Sequence, residues 1–154
     1  MIERVLDYID DYENIRALTG LDIYELQDTT IELLVYKSAL FSAMNSIQNG
    51  EGTLFEQFEI LDDPIKILVK DFACHVVAER VLTTVGLTAI KTKTDGKSST
   101  TRFSPESAYL ATLKEVRIRL TGLRDQVYAA LGIAPGTTIA MLRTSPGTDR
   151  VTEI

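Results

Sequence analysis

Cys74 and His75 stand side by side in this sequence and are the first residues to consider for chemistry. A thiol can act as a nucleophile, and both side chains can bind zinc. The chain holds one cysteine and one histidine, so an internal disulfide is excluded and zinc would need other ligands. We interpret both as flank or core residues of a helix, with a ligand or nucleophile role as the alternative.

Carboxylates are plentiful, with 22 Asp and Glu among 154 residues. Acid or base catalysis needs a pair of them held in a cleft with shifted pKa values, and a sequence cannot show such a pair. The chain contains no glycine-rich phosphate loop, no nucleophile elbow and no paired metal-ligand motif. We therefore expect a protein that is not an enzyme and that uses no cofactor and no metal.

A group of basic residues around an isoleucine predicts a contact site instead. The candidates for a subunit interface are Lys114, Arg117, Ile118 and Arg124. At roughly 100° per residue, Ile118 lies about half a turn from the middle of its helix's apolar stripe, and the three cations line one flank. An isoleucine turned away from its own core favours a partner, although single exposed apolar residues are common on monomers.

Two long helices are predicted to position these residues. The first begins at Asp63-Pro64, because aspartate can accept from free N–H groups and proline is tolerated in a first turn, and it ends at Gly86. At 1.5 Å per residue, the 22 residues 64–85 would span about 33 Å. Its apolar positions recur at spacings of three and four: Ile65, Leu68, Val69, Phe72, Ala73, Val76 and Val77.

The second long helix is predicted from Ser104-Pro105 to Gly132, with Pro135 just beyond. Its apolar ladder alternates steps of four and three up to Val127, with a final step of four, and predicts a seam against another helix. The ladder consists of Tyr109, Leu113, Val116, Leu120, Leu123, Val127 and Leu131.

Between the two helices, residues 88–103 predict a basic β-hairpin turning at Asp95-Gly96. A lone two-stranded hairpin is marginal in water, so it should project as a flexible loop or add to strands of another subunit. The residues predicted to make its contacts are Lys93, Asp95, Gly96 and Lys97.

The N-terminal part predicts a compact helical start over residues 2–9, a break at 12–14 and a short apolar turn at 15–18 before Gly20. Asp28 or Thr29 should cap a helix over 29–48, with Thr29 and Glu32 spaced as a capping box. Apolar residues cover a broad arc of that helix, which indicates packing on more than one side. Residues 49–52 break it, and 54–61 form a short amphipathic piece.

Residues 133–154 change character, being rich in Thr, Gly, Pro and Ser. A disordered tail is one interpretation of this composition. The other is a tail that orders on a partner through Ile139, Met141 and Leu142. The predicted fold class is thus mainly α: a helical bundle in one domain, 1–132, with two long helices, a hairpin insertion at about 88–103 and an extended tail, 133–154.

Charge divides the chain into an acidic and a basic part. Residues 1–63 hold 14 Asp and Glu against 3 Lys and Arg, a net of −11, whereas residues 64–154 have a net of +5. In a monomer these could be two solvated faces, or the two parts could complement each other within one molecule. In a head-to-tail oligomer the acidic face of one copy would meet the basic face of the next.

No segment predicts a membrane span or a secretory signal. The longest charge-free run, residues 38–50, is too short and too polar to cross a bilayer. Residues 1–13 are acidic and lack the unbroken apolar centre of a secretory signal. We expect a soluble protein that is made in the cytoplasm.

The order of elements resembles the phage head-to-tail connector proteins, also called adaptor or head completion proteins. The resemblance covers about residues 2–131. It lies in Ile15-Arg16-Ala17-Leu18-Thr19-Gly20-Leu21, the capped helix at Asp28 or Thr29, the Asp63-Pro64 helix, the basic hairpin and the closing helix.

This resemblance implies a structural virion protein at the capsid vertex, where head and tail meet. Copies would form a ring, twelve-fold to match the portal protein, with double-stranded DNA passing through its centre without sequence specificity. The protruding loops and the C-terminal segment would contact the portal above and the next tail or nozzle protein below. The 48–63 connection and the long segment after Gly132 depart from shorter members of the family.

A helix-turn-helix regulator is the alternative function. In that case the 105–131 helix or the basic hairpin would grip DNA, with Lys114, Arg117 and Arg124 on phosphates. A recognition helix, however, is usually short and presents polar side chains to base edges. The ladder fills this helix with core residues instead.

Overall fold

The computed structural model describes residues 1–86 and 105–134. This part of the chain is mainly α-helical, as predicted. Its helices are α1 (Tyr12–Thr19), α2 (Asp28–Ile31), α3 (Leu34–Asn45), α4 (Leu54–Gln57), α5 (Asp63–Val81) and α6 (Pro105–Ala130). Two short strands, β1 (Gln48–Asn49) and β2 (Gly52–Thr53), pair antiparallel. Short 3-10 turns at Val5–Asp7 and Phe58–Ile60 and a π-helical turn at Leu82–Gly86 complete the order.

Helix α5 is the centre of the bundle, and α1, α3 and α6 all pack against it. Seven consecutive residues, from Phe72 to Ala78, are buried, which is possible only when a helix is covered on every side. The apolar stripe predicted from Ile65 to Val77 is therefore confirmed as core. Cys74 and His75 belong to the same buried run, which confirms their interpretation as core residues.

The bounds of α5 differ slightly from the prediction. The helix begins at Asp63 with Pro64 in its first turn, but Asp62 is the cap residue and its side chain makes no cap hydrogen bond. The predicted capping role of aspartate is therefore wrong. At the other end the α-helix stops at Val81, and the π-helical turn Leu82–Gly86 follows it.

Helix α6 is the second long helix, and its predicted ladder is confirmed. Tyr109, Leu113, Val116, Leu123 and Val127 are buried, and Leu120 and Leu131 pack partly buried against the core. The Tyr109 hydroxyl donates to the Leu82 carbonyl, so the start of α6 lies beside the end of α5 and the two helices run antiparallel.

The end of α6 agrees with the predicted stop at Gly132. Gly132 has φ 70°, a left-handed conformation that favours glycine. The Ile133 N–H donates to the Tyr128 carbonyl at 2.9 Å, and the Gly132 N–H donates to the Ala129 carbonyl at 3.1 Å. This pair of bonds is a Schellman motif, which satisfies carbonyls that the helix itself leaves free.

The N-terminal helix lies later in the chain than predicted. Residues 2–9 contain a 3-10 turn and no α-helix, and the predicted break at 12–14 is the first turn of α1. Asp11 causes this start, because its side chain accepts from the Glu13 N–H at 3.1 Å. Gly20 ends α1 with φ 70°.

The predicted helix over 29–48 is divided into α2 and α3, and the Thr29–Glu32 capping box is wrong. Glu32 instead accepts from the Val5 N–H at 3.0 Å and the Leu6 N–H at 3.3 Å. A capping box does occur, between Thr53 and Glu56 at the start of α4.

The strand pair that the structure describes lies at 48–53, where the sequence predicted only a break. Gln48 pairs with Thr53 and Asn49 with Gly52. The hairpin predicted over 88–103, with its contact residues Lys93, Asp95, Gly96 and Lys97, lies outside the described residues. The tail residues Ile139, Met141 and Leu142 also lie outside them.

Candidate subunit interface

The outer side of α6 carries a shallow groove, called here the α6 groove. Its volume is about 310 Å³, and it is lined by Leu110, Leu113, Lys114, Arg117, Ile118 and Thr121. These positions fall at spacings of three and four, so they share one face of the helix. The structure therefore brings together three of the four residues predicted for this site, and it adds Leu110 beside them.

Two of the three apolar side chains that line this groove are exposed, and the third, Leu113, is buried. Ile118 is 63% exposed and Leu110 is 53% exposed, although both sit on a helix whose opposite face is buried in the core. The predicted exposure of Ile118 is therefore confirmed. Two large apolar side chains within one groove form a patch that a partner could cover.

The charge around the α6 groove is positive, and none of its lining residues is a carboxylate. Arg117 Nε donates to Glu79 Oε1 of α5 at 2.9 Å. Lys114 has no ion-pair partner among residues 1–86 and 105–134. The groove thus offers an apolar floor with a basic rim to an acidic and apolar partner.

Arg124, the fourth predicted residue, lies away from this groove. It lines a second groove of about 350 Å³ between α3, α5 and α6, together with Phe72, Glu79 and Leu120. The cations on this flank of α6 therefore lie in two separate grooves. Lys114 and Arg117 line the α6 groove, whereas Arg124 lies where α3 and α5 approach α6.

A second exposed apolar feature was missed by the sequence reasoning. In the turn after α1, Tyr24 is 88% exposed and Ile23 is 52% exposed. Asp22 and Glu25 flank them, and residues 22–25 are called here the acidic tip. The signal was present in the sequence as an apolar pair between two acids, but neither Ile23 nor Tyr24 was among the residues predicted to make contacts.

Three hydrogen bonds within the acidic tip define the conformation of its turn. The Asp22 carboxylate accepts from the Tyr24 N–H at 2.9 Å and from the Glu25 N–H at 3.0 Å. Glu25 in turn accepts from the Asp22 N–H at 3.2 Å. Leu26, directly after the tip, is fully buried and fixes it to the core.

Arg16 anchors the backbone behind the acidic tip. It is buried, its Nε donates to the Leu26 carbonyl at 2.9 Å, and its guanidinium pairs with Glu13 and Asp28. Burial alone would lower the pKa of Arg16, but the hydrogen bonds to Asp28 and Glu13 outweigh it and raise the pKa. Each of the three guanidinium nitrogens thus has a partner, and together they join α1 to the residues at the start of α2.

A third exposed patch lies between α2 and α3. Leu33, Leu34 and Val35 are all exposed there, at the same end of the bundle as the start of α6. The sequence predicted that the broad apolar arc of residues 29–48 packs on more than one side, whereas these three side chains of the arc are exposed. Within the described chain, those side chains leave part of their apolar surface in solvent.

The cleft beside Cys74 and His75 has a volume of about 450 Å³ and lies between α1, α5 and α6. Burial, together with the smaller effects of the Asp71 and Asp10 charges, raises the pKa of the Cys74 thiol to about 12. The thiol therefore stays protonated near neutral pH, which removes the nucleophilic form. His75 Nδ1 lies 2.9 Å from the Asp71 carbonyl. No group of three His, Cys, Asp or Glu in the described part of the chain could hold a metal ion.

Comparisons with protein-family models, with curated proteins and with solved structures find no match to this chain. The interpretation of its surfaces therefore depends on their own geometry and charge. Among the helices that the structure describes, none combines the length and the apolar character that crossing a membrane requires.

Proposed function

We propose that this protein is a structural virion protein: a head-to-tail connector whose copies form a ring under the portal and join the capsid to the tail. The observation that carries the proposal is the α6 groove. A helix whose inner face fills the core of its own subunit presents a second apolar face, with a basic rim, to the outside.

The position of this groove favours assembly over small-molecule binding. Small-molecule sites are concave and enclose most of the ligand. The α6 groove is shallow and lies along one exposed helix, with exposed leucine and isoleucine and two cations as its main features. A protein surface of matching shape covers such a groove better than a small molecule does.

The charge division supports contacts between unlike surfaces of identical copies. Residues 1–63 carry a net charge of −11 and residues 64–154 a net charge of +5. The acidic surface of one copy attracts the basic surface of another, whereas two surfaces of the same sign repel each other. Contacts of this kind are heterologous, and they generate a closed ring when the rotation between copies returns to its start.

The overall charge also suits a DNA conduit. The chain has a net charge of −6, whereas tight DNA binding draws much of its strength from neutralised phosphates. A ring wall that binds double-stranded DNA weakly lets DNA slide during packaging and ejection. The ring would occupy the capsid vertex, with the portal on one side and a tail or nozzle protein on the other.

Electron microscopy of the protein mixed with its portal or with purified virions tests the proposal. We expect a ring at the capsid vertex in contact with the portal. The matched control is the variant Lys114→Glu with Ile118→Asp, which should keep the circular dichroism of the wild type and lose the ring. Wild-type protein that adds no density to portal or virion would contradict the proposal.

A gel shift distinguishes the proposal from a helix-turn-helix regulator. Helix α6 is 26 residues long, its ladder is buried, and its outer side exposes Leu110 and Ile118, whereas a recognition helix is usually short and presents polar side chains to base edges. We expect no discrete complex with duplex DNA at moderate salt. A tight, sequence-specific complex of a monomer or dimer would favour the regulator.

A further inference from the structure

We infer that the acidic tip of one copy occupies the α6 groove of the next copy, with the Tyr24 ring against Leu110, Leu113 and Ile118. This inference rests on the proposed function, because it names the partner surface within the ring. It pairs the most exposed aromatic side chain of the described chain with the apolar groove that carries the opposite charge.

The acidic tip has the properties of an interface anchor. Tyrosine is enriched among residues that dominate binding energy, because it supplies a large apolar surface with few rotatable bonds. The Asp22 and Glu25 hydrogen bonds fix the turn that presents Tyr24, so little further ordering is needed on contact.

The α6 groove has the complementary properties. Its floor is apolar, its volume of about 310 Å³ is enough for an aromatic side chain, and no carboxylate lines it. Lys114 and Arg117 on its rim would face Asp22 and Glu25 beside the inserted ring. Such charges fix the register of a contact and discourage wrong pairings.

The two surfaces lie on opposite flanks of α6 in the same copy. The end of α1, from which the tip continues, shares a cleft with Thr112, Glu115 and Arg119 of α6. Those positions lie roughly half a helical turn away from Lys114 in the groove. A copy that receives a tip on one flank therefore presents its own tip on the other, which is the arrangement that a head-to-tail ring requires.

Cysteine cross-linking in portal-bound assemblies tests the contact. Ile23→Cys and Thr121→Cys are introduced in a Cys74→Ala background, which leaves Tyr24 and Ile118 intact. Under mild oxidation we expect a chain with both cysteines to give a ladder of covalent oligomers. A mixture of the two single variants should stop at covalent dimers, because each chain then has only one cysteine and can form only one disulfide. The control pairs Ile23→Cys with Gln126→Cys, an exposed position outside the groove, and should give no ladder.

A second measurement quantifies the contribution of Tyr24. We expect Tyr24→Ala to weaken ring assembly at least about tenfold, as anchor residues do, while Tyr24→Phe stays close to the wild type. The circular dichroism spectra should not change, because Tyr24 lies outside the core. The concentration for half-maximal ring formation is read from electron micrographs.

The outcomes separate this inference from the proposed function. Wild-type rings that persist with Tyr24→Ala and give no Ile23–Thr121 cross-link would overturn the inference and leave the connector proposal standing. Cross-links from Leu34→Cys to Thr121→Cys, in place of Ile23→Cys, would assign the groove to the patch at 33–35 and also overturn it. Wild-type protein that forms no ring on the portal would overturn both.

Discussion

Glu32 is the side chain that ties the N-terminal segment to the bundle. Its carboxylate accepts from the N–H groups of Val5 and Leu6 and from the Tyr12 hydroxyl, and Lys37 lies 3.3 Å away. Burial alone would raise the pKa of Glu32, but these donors outweigh it and lower the pKa. The ionised form is therefore the one that the folded state prefers.

This preference predicts a stability change with pH. A carboxyl whose pKa is lowered on folding stabilises the protein fully above its unfolded pKa, and that stabilisation is lost as the pH falls through the folded value. We expect Glu32→Gln to lower the free energy of unfolding by about 2 kcal/mol at neutral pH. The difference from the wild type should shrink at about pH 3, measured by urea denaturation.

Glu59→Gln is the matched control, because Glu59 is exposed and has one long ion pair, 3.8 Å to Lys66. Exposed pairs contribute little, so we expect a change below about 1 kcal/mol at either pH. Equal losses in the two variants would contradict the assigned role of Glu32.

At the scale of elements, the glycine within α6 and the glycine just after its end have opposite roles. Gly132 ends the helix with φ 70°, which a side chain rarely adopts. Gly122 is exposed within the helix, and a Cβ there would meet nothing within 4 Å. One glycine is required by the backbone, whereas the other only adds conformational freedom to the unfolded chain.

Alanine at these two positions should therefore change stability in opposite directions. We expect Gly132→Ala to destabilise the protein by about 1 kcal/mol, because alanine is strained in the left-handed conformation. Gly122→Ala should stabilise it by about 0.5 to 1 kcal/mol, because alanine is the better helix former. Thermal unfolding followed by circular dichroism measures both, and a shift of the same sign in both would count against this account.

At the scale of the whole molecule, the division of charge predicts how copies assemble. Arg117 and Arg124 lie on the side of α6 away from α1, in two neighbouring grooves. Reversing both to glutamate would place acid where the proposed neighbour is also acidic. We expect the double variant to weaken self-association or portal docking, measured by sedimentation and electron microscopy, with helical content unchanged.

Arg119→Glu is the control for this reversal. Arg119 belongs to the same helix but pairs with Glu115 at 3.3 Å and lies on the flank toward α1. It should leave assembly as it is in the wild type. An assembly that tolerates the double reversal, or that is equally sensitive to Arg119→Glu, would show that the grooves do not carry the contact.

The residues after Ala134 give a second test at this scale. The core that the structure describes extends to Ile133, so truncation after Ala134 leaves its residues in place. We expect the truncated protein to keep its unfolding midpoint in urea. Docking to the portal or tail partner should be lost, as the patch at Ile139, Met141 and Leu142 predicts. Loss of folding would instead place the segment in the core.

Local patterns in the sequence were enough to predict the two long helices. The ladder from Tyr109 to Leu131, the stop at Gly132 and the exposure of Ile118 all follow from a helical period and from one backbone conformation. Each of these depends on neighbours within a few turns, so the sequence contains the information directly. The mainly α fold and the buried Cys74 and His75 follow in the same way.

In the N-terminal part, tertiary contacts decided what Glu32 binds and where Tyr24 lies. Glu32 has the spacing of a capping box with Thr29. Its carboxylate instead accepts from the N–H groups of Val5 and Leu6, which lie more than 20 residues earlier in the chain. The position of Tyr24 likewise depends on two tertiary features: the burial of Leu26 and the hydrogen bond that the buried Arg16 donates to the Leu26 carbonyl. Such partners meet only when the chain has folded. A polar side chain can form several alternative hydrogen bonds, and tertiary packing decides which partners come within bonding distance.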